Sequence, residues 1–108
     1  MAQAEFVKAI VKEVGKAPCV ENIKNDLATL QGLVGGHIEV VSMGDGVALV
    51  LNEEGKLTGL PVNFGLGHDV IVGNVVFVAY GNDGDFMDLE DWQIDNIMSS
   101  FYTGSEDI

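Results

Sequence analysis

The sequence predicts an α+β fold: a mostly antiparallel sheet, made of a hairpin and a meander, with two helices. The expected order is strand-strand-helix-strand-strand-strand-strand-helix. Three observations predict it. Gly, Pro, Asn and Asp cluster between short apolar runs, as turns do between strands. Two of those runs, residues 47–51 (VALVL) and 75–80 (VVFVAY), are apolar without alternation, the pattern of strands covered on both faces. Two further segments carry apolar residues at helical spacing behind an Asp suited to capping.

In chain order, residues 6–13 (FVKAIVKE) read as a strand. Val7, Ala9 and Val11 form its apolar face; Phe6, Lys8, Ile10 and Lys12 take the other. Gly15 to Pro18 supply a turn, and residues 19–23 return as a short partner. Pro18 lacks an N–H, which places that strand at an edge or after it. Asn25 or Asp26 caps a helix over DLATLQGLV, stopped by Gly35-Gly36. Leu27, Leu30 and Val34 form its stripe, with Leu33 beside them. Gly32 costs about 1 kcal/mol relative to Ala there, so it marks either a close approach or a tolerated glycine.

Residues 37–43 form the next strand, turned at Gly44-Asp45-Gly46 into residues 47–51. Asn52 to Lys56 read as a type I turn closed by a left-handed Gly55, with residues 56–60 as the meander's third strand. Residues 61–68 (PVNFGLGH) then leave the sheet as a loop. Residues 69–72 are ambiguous between a helical turn and a strand start. Gly73-Asn74 ends them, residues 75–80 return to the sheet, and residues 81–85 form a polar loop. Asp88 caps the last helix, with Glu90 and Asp91 in the first turn where the helix dipole favours them. Ile94, Ile97, Met98 and Phe101 share one face, with Trp92 at its edge. Both helices are expected on one side of the sheet. The polar tail after Tyr102 is expected to fray.

At 108 residues the chain reads as a single domain, residues 1–108, large enough for a core without staples. A 47% hydrophobic content excludes a disordered tail. Its longest apolar runs, of about six residues, fall far short of the roughly 20 that span a bilayer, and no leader pattern opens the sequence. Cys19 is the one cysteine, which predicts a buried thiol in a reducing cytoplasm.

Charge is the strongest signal. Seventeen acids oppose five Lys, for a net charge of −12. Residues 1–24 hold four Lys against three Glu, whereas residues 25–108 hold Lys56 against fourteen acids. Such a field repels phosphates, so direct nucleic-acid binding is not expected.

No catalytic constellation survives inspection. Nucleophilic catalysis needs a nucleophile, a base and an orienter, and Cys19, His37 and His68 stand in no such context. NDGDFMDLED fails as a calcium loop, because with Asp83 first and Asp85 third, Met87 falls fifth and Asp88 takes the glycine position. Loose divalent binding by Asp83, Asp85 and Asp88 is the residual metal reading. Zinc lacks ligands. Gly55-Lys56-Leu57 is no phosphate loop, and Gly65-x-Gly67 lacks a strand-turn-helix context. No carboxylate pair stands out. The chain is therefore expected to be no enzyme and to carry no cofactor. The segment from Pro61 to His68 is different. Pro61 stiffens it, Asn63 both donates and accepts, and Lys56 and His68 lie nearby.

The series LQGLVGGHIEVV, LNEEGKLTGLPVNFGL, DVIVGNVVFVA and FMDLEDWQIDNIMSSF resembles a family of small proteins from bacteriophages and other mobile elements. That family is catalogued as a domain of unknown function. The resemblance covers roughly residues 5–102 and is most specific at Gly35-Gly36 and at Asn52 to Asn63. The family often has Tyr after the double glycine, where this chain has His37, and a basic residue after the Asn, where it has Phe64. Both departures weaken an anion-binding role for the loop.

The combined expectation is a non-enzymatic binding protein in the cytoplasm of a bacterial host. In a counter-defence setting it would sequester a small host signal such as a nucleotide derivative, through Lys56, Pro61, Asn63, His68 and His37. A protomer this small has little concavity, so the pocket is expected at a homo-oligomer interface. The alternative is an acidic interaction module, a nucleic-acid mimic, that blocks a basic host protein.

Overall fold

The computed structural model describes residues 5–102; the frayed tail expected after Tyr102 lies outside them. The chain folds as β1 (Phe6–Lys12), β2 (Cys19–Lys24), α1 (Leu27–Val34), β3 (Ile38–Gly44) and β4 (Val47–Asn52). It continues as β5 (Val62–Leu66), β6 (Asp69–Val72), β7 (Val75–Tyr80), β8 (Phe86–Met87) and α2 (Asp91–Tyr102). The main sheet runs β2-β1-β7-β4-β3, with β8 also paired to β7, and every pair is antiparallel. β5 and β6 form a separate two-stranded sheet. The α+β class is the one expected, and two strands, a helix, a run of strands and a closing helix follow in the expected order, with six strands rather than four between the helices.

The apolar runs explain the layering. Side chains alternate across a strand, so β4 and β7, apolar at almost every position, demand a cover on each face. On one face Val7, Ala9, Val11, Val50, Val76 and Val78 pack under Leu30 and Val34 of α1. On the other, Ile10, Leu49, Val75 and Phe77 pack under the β5–β6 hairpin and α2. The helices thus lie on opposite faces rather than together. One short helix leaves half of a doubly apolar sheet uncovered.

Local signals hold where they are local. The Asp26 carboxylate accepts from the Thr29 amide at 2.7 Å, and Gly35 ends α1 in the left-handed region at φ 82°. Hydrogen bonding from Thr29 and the charge of Lys24 hold the Asp26 carboxyl below its ordinary range. Gly44, Asp45 and Gly46 all take positive φ, as a tight turn there requires. Two details of these elements, at Leu27 and Cys19, differ from expectation, and one left open, at Gly32, is decided. Leu27 is 56% exposed and leaves the stripe to Leu30 and Val34. A Cβ on Gly32 would meet nothing within 4 Å, so that glycine is tolerated rather than required. Cys19 is exposed rather than buried, because edge strand β2 faces solvent along most of its length.

The largest departure covers residues 53–72. Residues 56–60 form no strand. They continue a run of turns in which Thr58 donates to the Glu54 carbonyl and Leu60 to that of Gly55, both at 2.9 Å. β4 has no free side for them, since β3 and β7 occupy both. Gly55 does not take positive φ; its lack of a side chain permits close approach, because a Cβ there would lie 2.9 Å from Val72 Cγ2. The expected loop and the ambiguous residues 69–72 together form the β5–β6 hairpin, turned at Gly67 with φ 59°. Phe64 anchors it, stacking on Phe77 with centroids 6.3 Å apart and meeting Phe101 edge-on at 5.1 Å.

At the C-terminal end, Asp88 does not cap α2. Its carboxylate accepts from the Lys8 amide at 2.7 Å, and Leu89 donates to the Lys8 carbonyl, so the segment leaving β8 is held against β1. Glu90 takes the capping position instead. Its amide donates to Gln93 Oε1 at 2.8 Å and its carbonyl accepts from Ile94, one half of a capping box. Among the described residues no helix is long and apolar enough to cross a membrane.

Candidate functional site

The β5–β6 hairpin covers only part of the sheet beneath it. Between it and the outer strands β3 and β4 lies a cleft of about 310 Å³. Strand alternation supplies one wall, with Glu39 and Val41 from β3 and Leu49 and Leu51 from β4. The turn after β4 brings Glu53, Lys56 and Leu57. The hairpin closes the other side with Leu66, Asp69, Val70 and Ile71. The floor is apolar and the rim carries three carboxylates and one ammonium.

That ammonium is engaged. Lys56 Nζ pairs with Asp69 Oδ1, both side chains being largely exposed. The hydrogen bond from Lys56, with a second from the Val70 amide at 2.8 Å, holds the Asp69 carboxyl below its ordinary range. Glu39 and Glu53 are exposed and have no cation at ion-pair distance among the described residues. Leu57 is 88% exposed beside them, an apolar side chain presented to solvent at the cleft mouth. The cleft therefore offers apolar contact ringed by net negative charge.

The five residues singled out from sequence are dispersed. Lys56 lines the cleft. Asn63 does not: its Nδ2 donates to the carbonyls of Lys12 and Gly73, and its Oδ1 accepts from Lys12 Nζ, all at 2.8 Å. It clamps the hairpin to the sheet. Lys12 itself is 8% exposed, donates also to the Glu13 carbonyl at 2.9 Å, and lies 5.9 Å from the Phe101 ring centroid. Burial pushes its pKa down. Pro61 is exposed, accepts from the Gly73 amide, and borders a separate shallow depression with Leu33 and Asn74. His68 is exposed in the hairpin turn. His37 is exposed just before β3, with its carbonyl accepting from Glu53 at 2.8 Å.

Glu39, Val41, Glu53, Leu57 and Asp69 escaped the sequence reading. Only Leu57, an apolar residue amid turn formers, carried a visible signal. Among the described residues no group of three or more His, Cys, Asp or Glu converges to hold a metal. Asp83 and Asp88 each accept a backbone amide, from Asp85 and Lys8. Trp92 is 48% exposed, its Nε1 donating to Glu90 at 3.2 Å.

A family model described as a domain of unknown function, DUF3846, matches residues 7–102. Neither a curated protein nor a solved structure matches the chain.

Proposed function

We propose a function from one premise: the chain belongs to the DUF3846 family of domains of unknown function, so the cleft has to carry the argument. We infer a non-enzymatic binding protein whose acidic cleft engages a basic region of a partner protein. One observation carries this reading: three carboxylates ring an apolar cleft whose single cation, Lys56, is already paired with Asp69. Such a rim repels phosphate and attracts Lys and Arg. The resemblance to phage and mobile-element proteins supports a host protein as target, blocked as a nucleic acid would block it.

Retention of basic host proteins on the immobilised chain tests this. Retention falls steeply between about 50 and about 200 mM salt, as charge-driven association does. It is lost in Glu39→Lys with Glu53→Lys, and survives Glu21→Lys with Asp83→Lys. Retention indifferent to salt, or to the first pair of reversals, overturns the reading.

A second reading, sequestration of a small host signal such as a nucleotide derivative, draws on the size of the cleft and on Lys56 at its wall. A second protomer would close the pocket. Calorimetry with cyclic and linear nucleotides tests it. A saturable heat lost in Lys56→Ala supports sequestration, and silence across the panel removes it.

A further inference from the structure

β3 ends the main sheet. β4 pairs with one side of it, and among the described residues no strand pairs with the other. The register fixes which backbone groups face that open side. The Glu53 amide donates to the His37 carbonyl, so 37 and 53 are a hydrogen-bonded pair. Antiparallel pairing alternates, which makes Glu39↔Leu51 and Val41↔Leu49 the next hydrogen-bonded pairs. Ile38, Val40 and Ser42 therefore direct their amides and carbonyls outward. These are donors and acceptors repeated about every 7 Å, the spacing an incoming strand matches.

Natural edges are blunted with Lys, Pro or bulges. β3 carries no Lys and no Pro, and its one irregularity lies between Ser42 and Gly44, beyond the outward-facing residues. The opposite edge differs: β2 is preceded by Pro18 and carries Lys24. Both faces of β3 are also prepared for side chains. Val41 and Glu39 look into the acidic cleft, and Val40 is 47% exposed on the other face.

We propose that β3 receives an extended segment of the partner protein as an added strand, with apolar side chains against Val40 on one face and a Lys or Arg facing Glu39 and Glu53 on the other. This rests on the reading of the cleft as the face for a basic partner. Charge selects that occupant over a second copy, because pairing β3 with β3 would bring two carboxylate-ringed clefts together in a chain of net charge −12. Backbone hydrogen bonds would supply affinity, and the cleft would choose the side chains.

The probe is a labelled nine-residue peptide of alternating valine and lysine. Its control is the same peptide N-methylated at every second residue along one edge, which removes donors and leaves charge unchanged. The wild-type chain binds the first at least tenfold more tightly than the second. Val40→Pro removes an outward amide without touching the β3–β4 ladder and weakens binding at least tenfold; Val20→Pro, which removes an outward amide at the β2 edge, does not. Equal binding of both peptides overturns strand addition, while the salt-dependent retention of host proteins decides separately whether the cleft reading stands. Absence of peptide binding overturns strand addition as well. A wild-type dimer that Val40→Pro dissolves identifies a second copy as the occupant and likewise overturns the proposal.

Discussion

Asn63 commits both amide hydrogens and its oxygen inside the fold, joining Lys12 and Gly73 to the hairpin. From sequence the same residue looked like a ligand contact. It follows Pro61 at one remove, and nothing nearby in the chain announces Lys12, 51 positions earlier. Asparagine is legible as a residue that needs partners; which partners is a tertiary matter. Asn63→Leu would leave two carbonyls and a buried ammonium short of a bond. With neutral bonds worth about 1 kcal/mol and charged ones about 2, the expected loss is about 3–4 kcal/mol in denaturant unfolding. Lys12 adds a pH signature. Burial lowers its folded pKa from 10.5, so between the folded value and 10.5 the unfolded chain binds more protons and stability rises with pH. The measurement is stability against pH for the wild type and Lys12→Met. The wild type gains relative to the variant as pH climbs through that alkaline window.

Among the elements, those with signals confined to a few residues were legible: α1 with its Asp26 and Gly35 boundaries, the Gly44-Asp45-Gly46 turn, and the buried strands β4 and β7. Those decided by competition for partners were not. Residues 56–60 follow a turn as a meander's next strand would, yet the place beside β4 goes to β7, whose apolar side chains bury on both faces. The β5–β6 hairpin was hidden for a related reason. Its short strands pair with each other rather than with the main sheet, and it is tied down by Phe64, Leu66 and Ile71 in the core and by the Asn63 clamp. The candidate cleft is the space this hairpin leaves open, so Glu39, Val41, Glu53 and Asp69 stayed silent until the hairpin was placed, whereas Lys56 stood out alone. Within α1, Gly32 offers a direct check on an element whose capping was read correctly. It is helical, exposed and open around its Cα. Gly32→Ala is therefore expected to stabilise the protein by about 0.5–1 kcal/mol, seen as a higher midpoint in urea with an unchanged slope. A loss instead would mean that this face of the helix is covered in solution.

Over the whole molecule, the strand order turns a sequence asymmetry into a spatial one. Lys8, Lys12, Lys16 and Lys24 belong to β1, β2 and the turn joining them, at one end of the sheet order. Lys16 pairs there with Glu13 at 3.0 Å, and Lys24 with Asp26 at 3.7 Å. The other end, from β3 across the cleft, holds Glu39, Glu53, Glu54 and Asp69 against Lys56 alone. The free edge thus carries a local excess of negative charge, as does the stretch from Asp83 to Asp95, in a chain of net charge −12. If that concentration costs folding energy, relieving it should stabilise, and salt should erase the benefit. Glu54→Lys, at an exposed turn position, is expected to gain about 0.3–0.5 kcal/mol at low ionic strength. The gain should vanish toward about 1 M salt, where screening acts within about 3 Å. Glu21→Lys, at the lysine-bearing end, should gain less. Thermal midpoints of the three proteins across a salt series read this directly. A larger gain from Glu21→Lys would mean that the field does not follow the strand order, and the acidic cleft would lose its claim to be the charged face of the molecule.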